Sequence, residues 1–536
     1  MRIRSIALLL GLGVTLGLAL SARAQYDFAV LQPAGGLGPS EPFAINASGQ
    51  SFGHSMTAPL HIDAALWPPS GTVLHDAGGS GSDTLAVNVE RKGFEVSFAP
   101  GSRDAAGHFI GGTEIRALVA HAGKLFAGNG YWMDEPGPEG PQGAQILVLD
   151  RPGGRWRVDH AFDEQMPDGR SRYIAIGALG EVDFATDGNG KPLAKPASIL
   201  LASTWDVADE DKVFARDDAT GAWIGAALAY NDRNAGRRLS QVRSFAAHRD
   251  RVTGIDYAFA GQRPQGIFSG VYDPTAAGRI RWSQTPELAI SALSIPEFRG
   301  MDGRLRVTSF AECNDRLYAA VGQQIYERID GTAPHWRLTY TNPNPGYSQS
   351  GLRGLTAVAS PSGHGQALIA GVEGTAPRIV RIDPNDGSET TELDLREFLT
   401  RGWGMGVRYA IAGYNDMTEV RDGRGEDVLL IGLEAVVNPG PQAAAGDGLF
   451  NIGRGRVVEG GAWYLIRHSN GSYDLRRIPP ARPGQLMVAT RSIVASPFPA
   501  ERDAIYFGGF DASKTPVHDT AWIVRATLQA AIGGSH

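Results

Sequence analysis

Cysteine is almost missing from this chain: Cys313 stands alone, so no disulfide can close a loop within it. Beyond residue 24 there is no apolar run approaching the about 20 residues that a membrane-spanning helix needs. Also absent are a Cys-x-x-Cys-His haem attachment, a His-Glu-x-x-His zinc helix, a P-loop and a Gly-x-Ser-x-Gly elbow. These absences leave the common hydrolase, nucleotidase and haem classes without support, and no cofactor or metal is expected. Long charged amphipathic segments are scarce, and the net charge of −7 argues against a general nucleic-acid binder. Stability has to come from packing.

What the chain does have is glycine, 70 residues of it, with 32 prolines, a composition suited to many short strands joined by turns. It starts with Arg2 and Arg4, an apolar run from Ile6 to Leu20, and Ala22-Arg23-Ala24 before Gln25. That order is a secretory leader with a small-residue cleavage site, so the mature chain is expected to be exported, periplasmic or extracellular, with no membrane span. The expected divisions are a leader at 1–24, an amino-terminal segment at 25–92, a repeat domain at 93–530 and a tail at 531–536.

The repeat is a bulky residue followed by small ones at the end of an apolar strand. It occurs at Phe126 (LFAGNGY), Leu201 (LLASTWD), Phe268 (IFSGVYD), Tyr318 (LYAAVGQ), Ile369 (LIAGVEG), Leu430 (LLIGLEA) and Tyr506 (IYFGGFD). The spacing averages about 63 residues, above the about 40–50 of compact blades, with the excess in glycine- and proline-rich insertions. Each occurrence is read as the second of four short strands, and Pro152-Gly153-Gly154, Asp330-Gly331, Asp386-Gly387 and Asn470-Gly471 supply turns from third to fourth strand. After RSIVAS, AIYFGG and TAWIVRA the last repeat lacks a fourth strand; GFEVSFAP, from Gly93 to Pro100, is predicted to complete it.

Over residues 93–530 the chain resembles seven-bladed β-propellers in general, without the recurrent Trp-Asp of WD40 blades or a regular kelch pattern. The resemblance implies an all-β ring of about seven four-stranded blades closed by an amino-terminal strand. Between Phe43 and Gly78, FAINASGQSFG and AALWPPSGTVLHDAG resemble the extracellular HAF repeat, which implies an eighth blade or a cap. That family carries no settled activity across.

Aligning the repeats shows an arginine opening each first strand: Arg116, Arg172, Arg243, Arg306, Arg353, Arg408 and Arg491. In a propeller these would crowd one mouth of the central channel. Two such charges about 8 Å apart repel by about 2 kcal/mol at an effective dielectric of about 20, so negative charge must be near. It can be internal, from Asp206, Asp273, Glu373, Glu434 and Asp511 after the second strands, making the arginines repeat glue. Alternatively it comes from a ligand, since guanidinium forks grip carboxylate, sulfate and phosphate. Tyr131, Trp132, Trp205 and Tyr272 in the same loops offer stacking faces.

Three residues are candidates for chemistry. His121 and His248 lie five residues beyond their arginines in matching strands, and Tyr414 sits in the polar AGYNDM cluster. Each also has a purely structural reading. The leading expectation is an exported propeller that binds an anionic small molecule or oligosaccharide at an arginine-lined mouth. A propeller-fold polysaccharide lyase or glycoside hydrolase ranks second and a protein-interaction scaffold, with a protein partner, third.

Overall fold

The computed structural model describes residues 93–131, 143–208, 210, 212–228, 241–263, 265–293, 305–348, 350–403, 406–438, 462–480, 487–511 and 519–533, and the backbone of three strands before them. Those strands, Ser40–Ile45, Ser51–Ala58 and His61–Trp67, pair antiparallel in a unit ending at Ala86. The leader and Trp132 lie outside the described residues.

The second unit, from Val87 on, is nearly all β. Its strands fall into four-stranded antiparallel sheets that follow one another along the chain. Sheet A is Glu114–His121, Lys124–Gly130, Gln145–Leu149 and Arg157–Ala161. Sheet B is Tyr173–Thr186, Pro192–Asp206, Lys212–Arg216 and Trp223–Ala227. Sheet C is Gln241–Arg249, Asp256–Arg263, Gly266–Tyr272 and Ile280–Trp282. Sheet D is Val307–Cys313, Arg316–Val321, Gln324–Ile329 and His335–Thr341. Sheet E is Leu352–Ala359, Gln366–Val372, Arg378–Ile382 and Glu389–Asp394. Sheet F has an interrupted first strand, Gly406–Ala412 and Thr418–Arg421, followed by Asp427–Asn438, Ala462–Arg467 and Tyr473–Ile478. Sheet G is Ala489–Ala495, Ala504–Phe510 and Trp522–Thr527, and Phe94–Phe98 pairs along its outer edge, Ala526 opposite Phe94.

In six sheets the repeated apolar motif is the second strand. Sheet C differs: its second strand is Asp256–Arg263, and IFSGVYD is its third. The apolar stretch YAFAG serves the packing need of the second strand there, so the motif search settled one strand late.

Strands apolar on both faces are those packed between two sheets. In sheet A, Leu125 and Ala127 join a core shared with sheet G, among them Phe98, Tyr506 and Ile523, while Phe126 joins a core with Ile176, Leu200 and Phe214 of sheet B. The period-two alternation of a strand divides its side chains between the two seams. Burying a side chain such as Leu125 or Phe126 contributes about 1.5–3 kcal/mol.

Polar bolts lock the outer edges of these seams. Across A–B, Asp159 accepts from Arg216 Nε at 2.9 Å and Trp223 Nε1 at 2.9 Å. Across C–D, Glu287 accepts from Arg328 Nε at 2.7 Å and Trp336 Nε1 at 3.1 Å. Across E–F, Glu392 accepts from Arg467 Nε at 2.7 Å and the Tyr473 hydroxyl at 2.8 Å. In each bolt an acid of one sheet receives an arginine from the third strand of the next and an aromatic N–H or O–H from its fourth. Trp156, in the matching place before the fourth strand of sheet A, donates to Ser97 of the strand paired to sheet G at 3.0 Å.

Glu392 is buried and also receives Arg381 at 2.6 Å. Glu392→Gln leaves two arginines with no full counter-charge, so it is expected to cost about 3 kcal/mol or more. Chemical unfolding monitored by near-ultraviolet circular dichroism checks this, and an unchanged midpoint would show the bolt to be ornamental.

Candidate functional site

Close to the start of the first strands the register slips by one residue: between Ile115 and Ala117, Val242 and Ser244, Val307 and Ser309, Val407 and Tyr409, and Thr490 and Ser492. A bulge leaves one residue out of the ladder and re-aims its side chain. Arg116, Arg243 and Arg491 occupy such positions, and all three are buried.

Sheet F carries a larger break. Ala412 pairs with Leu433 and Thr418 with Leu430, so Gly413–Met417 face only two residues of the partner strand. Gly413, at φ 66°, turns the chain out through the left-handed region that glycine tolerates. The loop delivers Tyr414, 8% exposed, into the arginines. The guanidinium carbons of Arg491, Arg353 and Arg243 lie 4.0, 4.6 and 5.5 Å from its ring centre. Arg243 Nη2 donates to the phenol oxygen at 3.3 Å and Arg353 Nη1 to the Tyr414 carbonyl at 3.2 Å. Asn415 Nδ2 donates to the Arg116 carbonyl at 3.3 Å. Sheets A, C, E and G thus all touch this one loop. Each cation over an aromatic face contributes about 0.5–2 kcal/mol.

The counter-charges are unevenly spread. Arg116 pairs with Glu114 at 2.7 Å, Arg353 with Glu373 at 2.5 Å, and Arg491 with Glu434 and, at 2.9 Å, Glu114. Arg243 has Gln241 Oε1 at 3.2 Å and Tyr414; Arg306, half-buried, has Ser350 Oγ at 2.8 Å. Among the described residues neither Arg243 nor Arg306 has a carboxylate partner, and the Nε of each is buried without a hydrogen bond. The cause is local sequence. Second strands end near Asp206, Glu373 and Glu434 in sheets B, E and F, whereas sheet C ends its second strand in Gln262-Arg263 and sheet D continues into Gly322-Gln323.

The electrostatics follow that imbalance. Burial, resisted by Tyr414 and reinforced by Arg116, Arg306 and Arg353, lowers the Arg243 guanidinium to about 9. Burial with Arg263 and Arg353 lowers Arg306 to about 10, against Glu373 and Tyr414. Burial would raise the Tyr414 phenol, but Arg116, Arg243 and Arg491 outweigh it and bring it down to about 7. Asp416 in the same loop is reached by water yet enclosed by protein, and burial raises its carboxyl to about 6.

The cluster therefore gathers Arg116, Arg243, Arg306, Arg353 and Arg491 with Tyr414. Arg172 lies apart, paired with Asp206, Glu164 and Glu210 and packed over Tyr173. Arg408 is exposed on its strand, because sheet F sends Tyr414 to the centre in its place. Arg263 is the buried cation that sequence reasoning missed, hidden by the one-strand error in sheet C. Of the aromatic candidates, Tyr131 is buried with its hydroxyl on Asp519 at 2.7 Å, and Trp205 is buried under Arg116 at 6.0 Å. Tyr272 packs on Phe184 at 5.8 Å, and Asp273 pairs with Arg281; both sit at the end of a third strand, away from the arginines.

The two histidines also lie at the far ends of their first strands. His121 of sheet A bridges Glu181 and, at 2.9 Å, Asp218 of sheet B; His248 of sheet C bridges Glu312 at 2.6 Å and Asp330 at 3.1 Å of sheet D. Burial lowers each imidazole pKa, but these carboxylates outweigh it and leave both raised. Five residues of strand span about 16 Å, which removes them from the arginine cluster. They clasp seams.

No family model and no curated protein matches this chain. Among solved structures, a Trypanosoma rangeli sialidase in complex with sialic acid is 11% identical, with a TM-score of 0.34 over 82% of this chain and 58% of the sialidase. The chain thus spans little more than half of that enzyme. The WD40 repeats of RRP9 match at 9% identity and a TM-score of 0.40, over 81% of this chain and 97% of that one. A GH43 β-1,3-galactosidase matches at 10% identity and a TM-score of 0.27, over 55% and 98%.

Two predictions come from the cluster. Tyr414 has a folded pKa of about 7 against about 10 unfolded. Its contribution to stability is therefore full above about pH 10 and lost as pH falls through about 7. A phenolate absorbance titrating near neutral pH and missing in Tyr414→Phe is expected; identical titrations would refute the low pKa. Separately, Arg491→Met strands Glu434 and should cost about 3–5 kcal/mol, whereas Arg243→Met removes a cation without a carboxylate partner and should cost no more than the about 0.5–2 kcal/mol of its contact with Tyr414. Equal losses in thermal unfolding would contradict the uneven pairing.

Proposed function

We propose that the chain is an exported seven-bladed β-propeller, its last blade completed by Phe94–Phe98, that binds a small anionic ligand at the guanidinium cluster around Tyr414. Sheets A to G are then the blades. The shared core between A and G and the Trp156–Ser97 bond support a ring. Export rests on the leader before Gln25. The observation that carries the ligand is the pair Arg243 and Arg306, enclosed cations with no carboxylate partner among the described residues. A carboxylate entering between them would supply the acid that blades C and D lack, and the guanidinium fork suits its two oxygens. An acidic sugar or an organic acid fits this chemistry.

A second reading, a lyase or glycoside hydrolase, is favoured by Tyr414 and Asp416, whose pKa values of about 7 and about 6 suit proton transfer at neutral pH. Retained turnover of acidic polysaccharides in Tyr414→Phe would discard it.

Glucuronate, galacturonate and citrate are expected to raise the thermal midpoint at low salt, while glucose at the same concentration does not. Saturation at 100 times Kd adds about 2.7 kcal/mol. Arg243→Met should abolish the rise while lowering the ligand-free midpoint only slightly. No shift with any anion would leave the cluster without a ligand.

A further inference from the structure

At the other end of the first strands, two adjoining clefts of about 450 and 530 Å³ cross the tip of sheet D, from the edge of sheet C to sheet E. Both are lined by Arg251 and Arg316; the larger adds Arg337 and the smaller adds His364, Gln366 and Asn385. Seven residues of first strand, Val307–Cys313, separate this face from Arg306, about 23 Å away.

One wall of the smaller cleft is prepared in advance. Asn314 and Asp315 form the turn between the first two strands of sheet D, with φ of 50° and 59°. The Asn314 side chain then clasps the neighbouring turn of sheet E: its Nδ2 donates to the Gln366 carbonyl at 2.9 Å and its Oδ1 accepts from the Gln366 amide at 2.8 Å. In return Gln366 Oε1 accepts from the Asn314 amide at 2.9 Å. Three guanidiniums stand over the floor, their side chains 56%, 49% and 59% exposed at Arg251, Arg316 and Arg337. Arg316 and Arg337 share one buried acid, Glu327, and the Arg251 guanidinium has Asp315 at 3.8 Å, while its backbone amide donates to Asp330 at 3.0 Å. One carboxylate cannot occupy two forks of five N–H donors each, so donors remain for a ligand.

We propose that this groove is a second binding site, for a carbohydrate chain bearing carboxylate or sulfate groups. Its acidic groups lie on Arg251, Arg316 and Arg337. Its hydroxyls, which both donate and accept, meet the amides of Asn385 and Gln366 and the carboxylate of Asp383. An acidic peptide brings carboxylates but no hydroxyl donors for Asp383, so it is the poorer fit. A groove with few apolar residues gives little to a hydrophobic segment.

The test is calorimetric titration of the full chain with tetragalacturonate, cellotetraose and tetraglutamate at low salt. Tetragalacturonate is expected to bind at least tenfold more tightly than the other two and to weaken as salt rises. Arg251→Glu should lower its affinity at least tenfold in a chain that circular dichroism shows to be folded, and Arg316→Lys with Arg337→Lys should do the same while still neutralising Glu327. In the Arg243→Met background, which removes the site around Tyr414, tetragalacturonate binding should persist and should still be lost on Arg251→Glu. Unchanged affinity in Arg251→Glu, or tetraglutamate binding as tightly as tetragalacturonate, would overturn the proposal.

Discussion

Guanidinium groups enclosed away from bulk water have to be matched by negative charge or by aromatic faces, and that constraint shapes the middle of this molecule. Glu114, Glu373 and Glu434 answer Arg116, Arg353 and Arg491, and the ring of Tyr414 is shared among three cations. Sheets C and D carry Gln262-Arg263 and Gln323 at the places where other sheets carry acids, and among the described residues Arg243 and Arg306 have no carboxylate partner. The site is thus defined by a shortage of anions in one sector, more than by the number of arginines.

The seams obey the same rule with a different outcome. Their acids are paired, as at Asp159, Glu287 and Glu392, each with an arginine and an aromatic donor from the next sheet. These bolts recur at alternate seams, and the two histidine clasps fall on two of them, A–B and C–D. Among the described residues, the acids at these seams meet cations, while Arg243 and Arg306 in the centre have no carboxylate partner.

Much of the β architecture was legible because a strand buried on both faces writes itself as an apolar run, and turns such as Asp386-Gly387 and Asn470-Gly471 fall where third strands end. The pairing of Phe94–Phe98 with Trp522–Thr527 could be anticipated from a missing strand. Sheet C was misread by one strand because YAFAG and IFSGV both set a bulky residue before small ones in an apolar strand. Side-chain destinations were less legible. Arg408 and Arg116 share a sequence pattern, yet a five-residue break beside Arg408 sends Tyr414 inward instead; GYNDM gave the only sign, a glycine before polar residues inside an apolar strand. The Arg263 substitution and the Trp and Tyr of the bolts needed the correct strand register before they could be seen.

Tyr414 reports directly on the charge around it, because the other tyrosines with shifted pKa values, such as Tyr318 and Tyr464, are pushed upward by burial. An anion seated between Arg243 and Arg306 would weaken the positive field that holds the phenol near 7. The most direct measurement is the phenolate titration of Tyr414 with and without saturating glucuronate or citrate, using Tyr414→Phe as the blank. An upward shift of the midpoint on adding the anion is predicted, and it should vanish in Arg243→Met. A midpoint indifferent to every anion would contradict the claim that the uncompensated guanidiniums are a ligand site.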